Sequence, residues 1–546
     1  MLIRKGLTTQ FGVSVKTANK LVNSPKVLLR WYEAINGVMD SLILADPTIF
    51  LEDLRPLKRL VRKITNVSTS RSGVSAVVSM WKDFTNWYFH TAAQTDLIGG
   101  ELTPLKGNVF TKLLGVGRIR TWMVRGKWED FKHIAHICFT RQMPFCGEKT
   151  VAKAIAEFRE VITSTFEVEP AMLLKVRLAA RRIGGICRSI GPKTRGADHL
   201  SVSSSGSLRH PIRSGGNAAA VVAMLERHVT EVSDSDWCER TPFGIFEHES
   251  GIPLWMSILG YESGENYLST DYHNRRRARI ETLRPYKLGE IIPGSVGTPV
   301  KAGYYDNLGL LILYSSWKDC IMQSSIPTVR VSTVPEPGNK ARIITVSDCW
   351  VNALMAPFCH LLKSSMKCHP SVWSSFNKSD QNWESLKILM NGDTNPLTLS
   401  SDLKNATNAI PFTVARELVI GFCEGHGLRI GPYRALVIGL IGTRYIEIGE
   451  DHVFSNRGVL MGEAIAKPVL TLLNLVVEEI SYYKFHNKEL DWKAAPKPDG
   501  WKRAVHIGGD DHVVRGPKRY LDLITETHLS VGSMVSPGKH GISAKA

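Results

Sequence analysis

Two adjacent carboxylates at the tip of a tight turn suit a divalent cation, and the stretch His506-Ile507-Gly508-Gly509-Asp510-Asp511-His512 has that form. Val505 and Ile507 lead into it and Val513 and Val514 lead out, so the segment predicts two short strands joined by a glycine-containing turn. Alone, Gly-Asp-Asp says little, because turns use both residue types for their backbone tolerance. Upstream, Leu397 to Asp402 alternates in polarity and ends on a carboxylate, at the strand end where α/β sheets place ligands. The plainer role for Asp402 is a cap on the next turn. Ala406, Thr407 and Asn408 follow, and Pro411 opens an amphipathic helix. Lys340 and Arg342 stand two apart on a strand-like run, so one face would present both cations, a pairing that suits a triphosphate or simply an exposed hairpin edge. Arg457 to Glu463 forms a loop framed by Gly458 and Gly462, and the helix after it carries Lys467, Thr471 and Asn474 on one face. That polar stripe lies among Leu470, Leu472, Leu473, Val476 and Val477, where it is costly unless it meets partners. Ser536-Pro537-Gly538-Lys539-His540 then sets a lysine shortly beyond the paired carboxylates.

The elements that must position these groups divide the chain unevenly. In Thr328–Val346 two strand-like runs flank the turn Pro335 to Asn339. The first half is mainly helix-like, with apolar residues at helical spacing over Val74–Thr91, Thr150–Phe166 and Ala218–Val232. Ser201–Asn217 reads as an exposed loop. Basic clusters at Arg55–Lys63, Lys175–Arg195 and Arg275–Lys287 are solvated faces singly and an electrostatic track for a phosphate backbone together. A soft boundary falls near Lys287, after which strand-like and helix-like segments alternate in an α/β pattern.

Composition narrows the partner more than the chemistry. The chain of 546 residues carries a formal charge of +17, which favours a polyanion, nucleic acid or an acidic membrane. No apolar run reaches the length that spans a bilayer. Nine cysteines at irregular spacing argue against a secreted disulfide framework and for a reducing compartment. The stretch from Met1 to Tyr32 is free of acidic residues, a composition shared by mitochondrial presequences and by basic arms that lie on RNA. His133, His136, Cys138 and Cys146 match no usual zinc spacing. A P-loop, a His-Glu-x-x-His and a Gly-x-Ser-x-Gly are all missing.

Taken in order, the segments resemble the viral RNA-dependent RNA polymerases, with the nearest likeness in the ourmia-like branch close to the narnaviruses and mitoviruses. The likeness is carried by Lys340-Ala341-Arg342, Ser401-Asp402-Leu403 with Ala406-Thr407, Gly458 through Asn474, Gly509-Asp510-Asp511 and Ser536-Pro537-Gly538-Lys539, across roughly residues 328 to 543. It implies an α/β right-hand polymerase. Residues 1–287 would be a basic, helix-rich N-terminal extension and fingers, 288–395 fingers with a triphosphate-binding hairpin, and 396–546 a palm on an antiparallel sheet. The thumb would be largely absent from this chain, which would be either a fragment or a protein completed by a second chain.

The resemblance also assigns roles. Asp402, Asp510 and Asp511 would hold two Mg²⁺ ions, with the Leu403 carbonyl as a further ligand and Mn²⁺ as a substitute; Lys539 would protonate pyrophosphate. Lys340 and Arg342 would hold the incoming NTP. Asn408 and Asn474 would sense its ribose, Thr471 would be a further substrate contact, and the loop through Gly458, Met461 and Gly462 would shift as the RNA template and nascent strand advance. Position 408 is Asn where many relatives carry Asp. A reverse transcriptase would show an aromatic residue where Gly508 stands, and a non-catalytic RNA-binding fragment need not keep all three aspartates. The resemblance implies replication of a positive-strand viral RNA in the host cytoplasm, with the mitochondrion as the alternative.

Overall fold

The structure is a computed structural model. It describes residues 2–45, 54–70, 73–93, 95–97, 108, 110, 143–191, 205–229, 308–323, 326–376, 381–390, 397–490 and 503–544. The expected boundary at Lys287, the basic run Arg275–Lys287 and the residues His133, His136 and Cys138 lie outside the described residues.

In chain order the first helices are α1 (Leu2–Thr9), α2 (Val15–Val22), α3 (Pro25–Ala45), α4 (Arg55–Ser68) and α5 (Gly73–Ala93), followed by strand β1 (Asp96–Leu97). Helices α6 (Glu148–Thr163), α7 (Pro170–Ile190), α8 (Gly216–Val229) and α9 (Leu308–Met322) lead to β2 (Thr328–Glu336) and β3 (Lys340–Ser347). Then come α10 (Cys349–Met366), α11 (Trp373–Phe376), α12 (Gln381–Met390), β4 (Thr398–Asp402), α13 (Phe412–His426) and α14 (Pro432–Gly439). The chain continues through β5 (Tyr445–Ile448), β6 (Asp451–Phe454), α15 (Ala466–Phe485), β7 (Val505–Gly508), β8 (Asp511–Arg515), α16 (Lys518–Ser530) and β9 (Gly541–Ser543). Three helices expected from apolar spacing in the first half are present as α5, α6 and α8. Among the described residues no helix is long and apolar enough to cross a membrane.

Two sheets are built from the described strands, all but β1 from the second half of the chain. The first has the order β1-β9-β4-β8-β7 and is antiparallel throughout. The second, β3-β2-β5-β6, is mixed, because β5 runs parallel to β2. The expected hairpin over Thr328–Val346 is there, but its turn is tighter than the sequence suggested. Glu336 stays in β2 opposite Lys340, and only Pro337 to Asn339 turn, with Gly338 (φ 79°) and Asn339 (φ 55°) in left-handed conformations.

The largest core lies beneath the first sheet. Leu399, Ile507 and Val514 from the strands pack with Val176 and Ile183 of α7, Phe358 of α10, Phe422 of α13 and Leu473 of α15. A separate cluster joins α1 to α5 around Trp81, Phe84 and Tyr88. α13 stops where Gly427 turns left-handed (φ 75°) and Leu428 donates back to the Cys423 carbonyl at 2.8 Å, a Schellman closure.

α7 and α13 touch backbone to backbone. A Cβ at Gly184 would overlap the Phe422 carbonyl oxygen, one at Gly421 the Arg177 carbonyl oxygen, and one at Gly425 the Arg181 carbonyl oxygen. Because the obstacle is main chain, no rotamer change relieves it. Gly425→Ala should therefore wedge the helices apart and cost about 1–3 kcal/mol of folding stability, the usual cost of overpacking a core, read as a lower urea midpoint. An unchanged midpoint would mean that the two helices can separate freely.

Candidate active site

The β7–β8 hairpin forms as its sequence suggested. Gly508 pairs with Asp511, leaving Gly509 and Asp510 as the two turn residues, and Gly509 sits at φ 93°. Glycine with positive φ at the first turn position is the signature of a turn that follows strand twist. The turn is gripped from below, where the Asn474 side chain of α15 donates to the Gly509 carbonyl at 2.5 Å.

The register between β4 and β8 does what no single motif can. Asp402, the last residue of β4, lies directly opposite Asp511, the first of β8, and Asp510 adjoins them in the turn. Burial first, then the neighbouring charges of Asp510 and Asp402, raises the Asp511 carboxyl above the usual range; Lys539 and Lys340 partly offset this. Lys539 reaches the group directly, its Nζ 3.0 Å from Asp402 Oδ2. The loop that carries it is tied to β4, for Ser536 N donates to the Asp402 carbonyl at 2.9 Å, and Leu403 forms an isolated bridge with Val535. His540, next to Lys539, is buried and bonded on both ring nitrogens, to Ser401 Oγ at 2.9 Å and Thr525 Oγ1 at 2.8 Å.

Asn408, in the loop after β4, and Thr471 and Asn474, about one turn apart on α15, each have a buried polar atom without a hydrogen-bond partner: Asn408 Oδ1, Thr471 Oγ1 and Asn474 Oδ1. Groups of this kind are costly inside a fold unless something pairs with them. Lys467, on the same helix, turns elsewhere and donates to the Ser375 carbonyl at 2.6 Å.

The loop before α15 joins three parts of the molecule. Gly458 (φ 107°) lies close against the Asn408 backbone, and Gly458 N and Val459 N donate to Ile410 and Thr407 at 2.8 and 2.9 Å. At its other end Gly462 (φ 131°) abuts Thr345 of β3, whose N and Oγ1 both donate to the Met461 carbonyl at 2.9 Å. Met461 itself is partly exposed. Two arginines to which the sequence assigned no role hold this loop: buried Arg444 pairs with Glu463 at 2.7 Å, and Arg457, the first residue of the loop, donates to the Ala409 and Gly532 carbonyls. No motif marks Arg444.

Lys340 and Arg342 project from one face of β3 as expected and share Glu336, at 3.7 and 2.8 Å. Both remain about half exposed, so neither is committed to the interior. These contacts link the elements that carry the candidates: Asn474 holds the Gly509 turn, Lys539 reaches Asp402, and the loop from Gly458 to Gly462 ties the Asn408 segment to β3, the strand of Lys340 and Arg342.

A hard divalent cation fits this donor set in one way. Among the described residues no three His, Cys, Asp or Glu side chains converge into a cage. Asp402 lies opposite Asp511 with Asp510 in the adjoining turn, so the described residues offer a few carboxylates and no full cage. Magnesium typically takes one or two carboxylates and completes its shell with water and substrate phosphate.

No family model matches the chain. Over 223 residues it is 24% identical to the RNA-directed RNA polymerase of Saccharomyces 20S RNA narnavirus, spanning 40% of this chain and 25% of that protein. Over 227 residues it is 26% identical to the RNA-directed RNA polymerase of Saccharomyces 23S RNA narnavirus, 39% of this chain and 22% of that one. The chain therefore matches about a quarter of the length of these curated relatives. Among solved structures, one of the BmCPV RNA-dependent RNA polymerase in its elongation state aligns with 92% of this chain and 42% of its own, at 11% identity and a TM-score of 0.39.

Proposed function

We propose that this chain, a relative of the narnaviral RNA-directed RNA polymerases, carries a nucleotidyl-transfer centre that extends RNA on an RNA template. The observation that carries the reading is the β4–β8 register, which opposes Asp402 and Asp511, sets Asp510 in the adjoining turn and brings Lys539 onto Asp402. Asp402, Asp510 and Asp511 would hold two Mg²⁺ ions, which activate a 3′-hydroxyl and neutralise the departing pyrophosphate. Lys340 and Arg342 bind the triphosphate of the incoming nucleotide, where paired cations on a stiff strand lose little freedom. Lys539 can pass a proton to the leaving pyrophosphate once it releases Asp402. The unpartnered oxygens of Asn408, Thr471 and Asn474 meet the ribose, whose 2′-hydroxyl separates ribonucleotides from deoxyribonucleotides. On this reading the five-stranded sheet is a palm, the β2–β3 hairpin belongs to the fingers, and the template is a positive-strand viral genome or its complement.

The test is incorporation of a labelled ribonucleotide on a short RNA template with Mg²⁺ or Mn²⁺. Template-dependent incorporation is expected, and its absence with both ions overturns the reading. Within that assay Asn408→Ala should shrink the preference for ribo- over deoxyribonucleotides by about 5- to 10-fold, the worth of one hydrogen bond of about 1 kcal/mol. An unchanged ratio removes Asn408 from ribose recognition.

A further inference from the structure

Helix α5 lies far from every motif in sequence, yet it reaches both basic edges of the site. Near its start, Arg30 donates to Ser75 Oγ and to the Phe145 carbonyl, both at 3.2 Å. Phe145 bridges to Pro337, and Gly338 N and Asn339 N donate to the Pro144 carbonyl at 3.1 Å, so this end is fixed to the turn just before Lys340. Near its other end, His90 Nε2 meets the Gly538 carbonyl at 2.8 Å, one residue before Lys539. At its last residue, the Ala93 carbonyl accepts from Ser543 Oγ at 2.5 Å, and beyond the helix β1 pairs with β9. At a rise of about 1.5 Å per residue, Lys82 sits roughly 10 Å along the helix from Ser75 and roughly 12 Å from His90. It therefore stands midway between the Lys340 turn and the Lys539 loop.

Lys82 is half-buried, and among the described residues no carboxylate forms an ion pair with it. Burial first, then the positive charges of Lys340 and Lys539, pulls its ammonium below the ordinary lysine range. The other two lysines each have a carboxylate, Glu336 for Lys340 and Asp402 for Lys539. A partly desolvated cation set between two others, without an acid of its own, is a binding site for an anion with several charges.

We infer that Lys82, held by α5 between the β2–β3 turn and the Lys539 loop, is a third cationic contact for the nucleotide triphosphate. The inference rests on the polymerase reading for the identity of the ligand, and on the placement of α5 for the site. Lys82 is a substrate-binding residue, and α5 also positions Lys539 through His90.

Two measurements separate the inference from the reading beneath it. Calorimetric titration of the chain with inorganic tripolyphosphate, without divalent ion, reads the anion site alone. Lys82→Met, which keeps the apolar stem and hence the packing, should weaken that binding by about 10-fold or more, and Lys82→Arg should restore most of it. In the incorporation assay Lys82→Met should raise KM for the nucleotide by about 10- to 100-fold with a much smaller change in kcat. Weakened tripolyphosphate binding in a chain that incorporates nothing keeps the anion site and discards the polymerase. Unchanged tripolyphosphate affinity in Lys82→Met overturns the inference. So does an unchanged KM accompanied by weaker, more salt-sensitive RNA binding, which would move Lys82 to the nucleic acid backbone.

Discussion

Asp510→Asn and Asp402→Asn should each abolish nucleotide incorporation, by at least ~10²–10³-fold, while leaving the fold intact. The figure is the usual loss when one preorganised electrostatic partner of a transition state is removed. Phosphoryl transfer leaves the protein little covalent work, so the charge that Asp402 and Asp510 would contribute is most of what these side chains do. Asparagine keeps the volume and one acceptor oxygen but removes that charge. The structural consequence points the other way. Three carboxylates crowd the strand ends, and the Asp511 carboxyl is raised by burial and then by Asp510 and Asp402. Taking away one like charge should leave the melting temperature unchanged or slightly higher. At Asp402 the change strands the Lys539 ammonium, which is largely solvent-exposed and tolerates the loss of its partner. Incorporation and thermal denaturation on the same preparations decide the matter. Loss of activity with an intact melting temperature assigns these aspartates to chemistry; a melting temperature several degrees lower assigns them to structure; retained activity removes them from the centre.

What the sequence revealed follows from how far each constraint reaches along the chain. The β7–β8 hairpin needs only a positive φ at Gly509 and apolar flanks, and both stand within a few residues of Asp510. Gly458 and Gly462 were visible as a frame, although what they frame, the Asn408 and Thr345 backbones, appears only in three dimensions. The turn of the β2–β3 hairpin was read too wide because Pro335 and Glu336 look like turn residues. The strand keeps them by pairing Glu336 with Lys340 and salting both basic side chains to it. The polar stripe on α15 came out in part: Thr471 and Asn474 turn inward, and Lys467 leaves for the Ser375 carbonyl. Hidden altogether were contacts between distant segments. α5 gives no local sign that His90 meets Gly538, and Gly184, Gly421 and Gly425 look like ordinary helix glycines until α7 and α13 are seen to touch there.

Arg503→Met should cost about 3–5 kcal/mol of folding stability at pH 8, the usual result of stripping the partner from a buried charge. Glu478 and Glu479 stand side by side on α15 with their side chains fully buried. Arg503, just ahead of β7, contacts both, Arg182 of α7 pairs with Glu479 at 2.5 Å, and the Tyr520 hydroxyl of α16 donates to Glu478. The cluster thereby fastens a helix of the first half to the strand that leads into the carboxylate turn. Burial already lifts the Glu478 carboxyl to about 7, against the opposing pull of Arg503. Without that guanidinium it would rise further. A carboxyl whose folded pKa lies above its unfolded value makes the fold less stable as pH climbs through and beyond the unfolded value. The deficit of the variant should therefore be largest at pH 8 and shrink toward pH 5.5, where Glu478 can take up a proton. Glu478→Gln added to Arg503→Met should recover part of the loss at pH 8. Methionine retains much of the arginine stem, but not the guanidinium stacked 4.0 Å from the Tyr482 ring. Denaturant midpoints of the variants at the two pH values separate the causes. A deficit of equal size at pH 8 and pH 5.5, untouched by Glu478→Gln, would assign the loss to the Tyr482 stack rather than to the buried carboxylates.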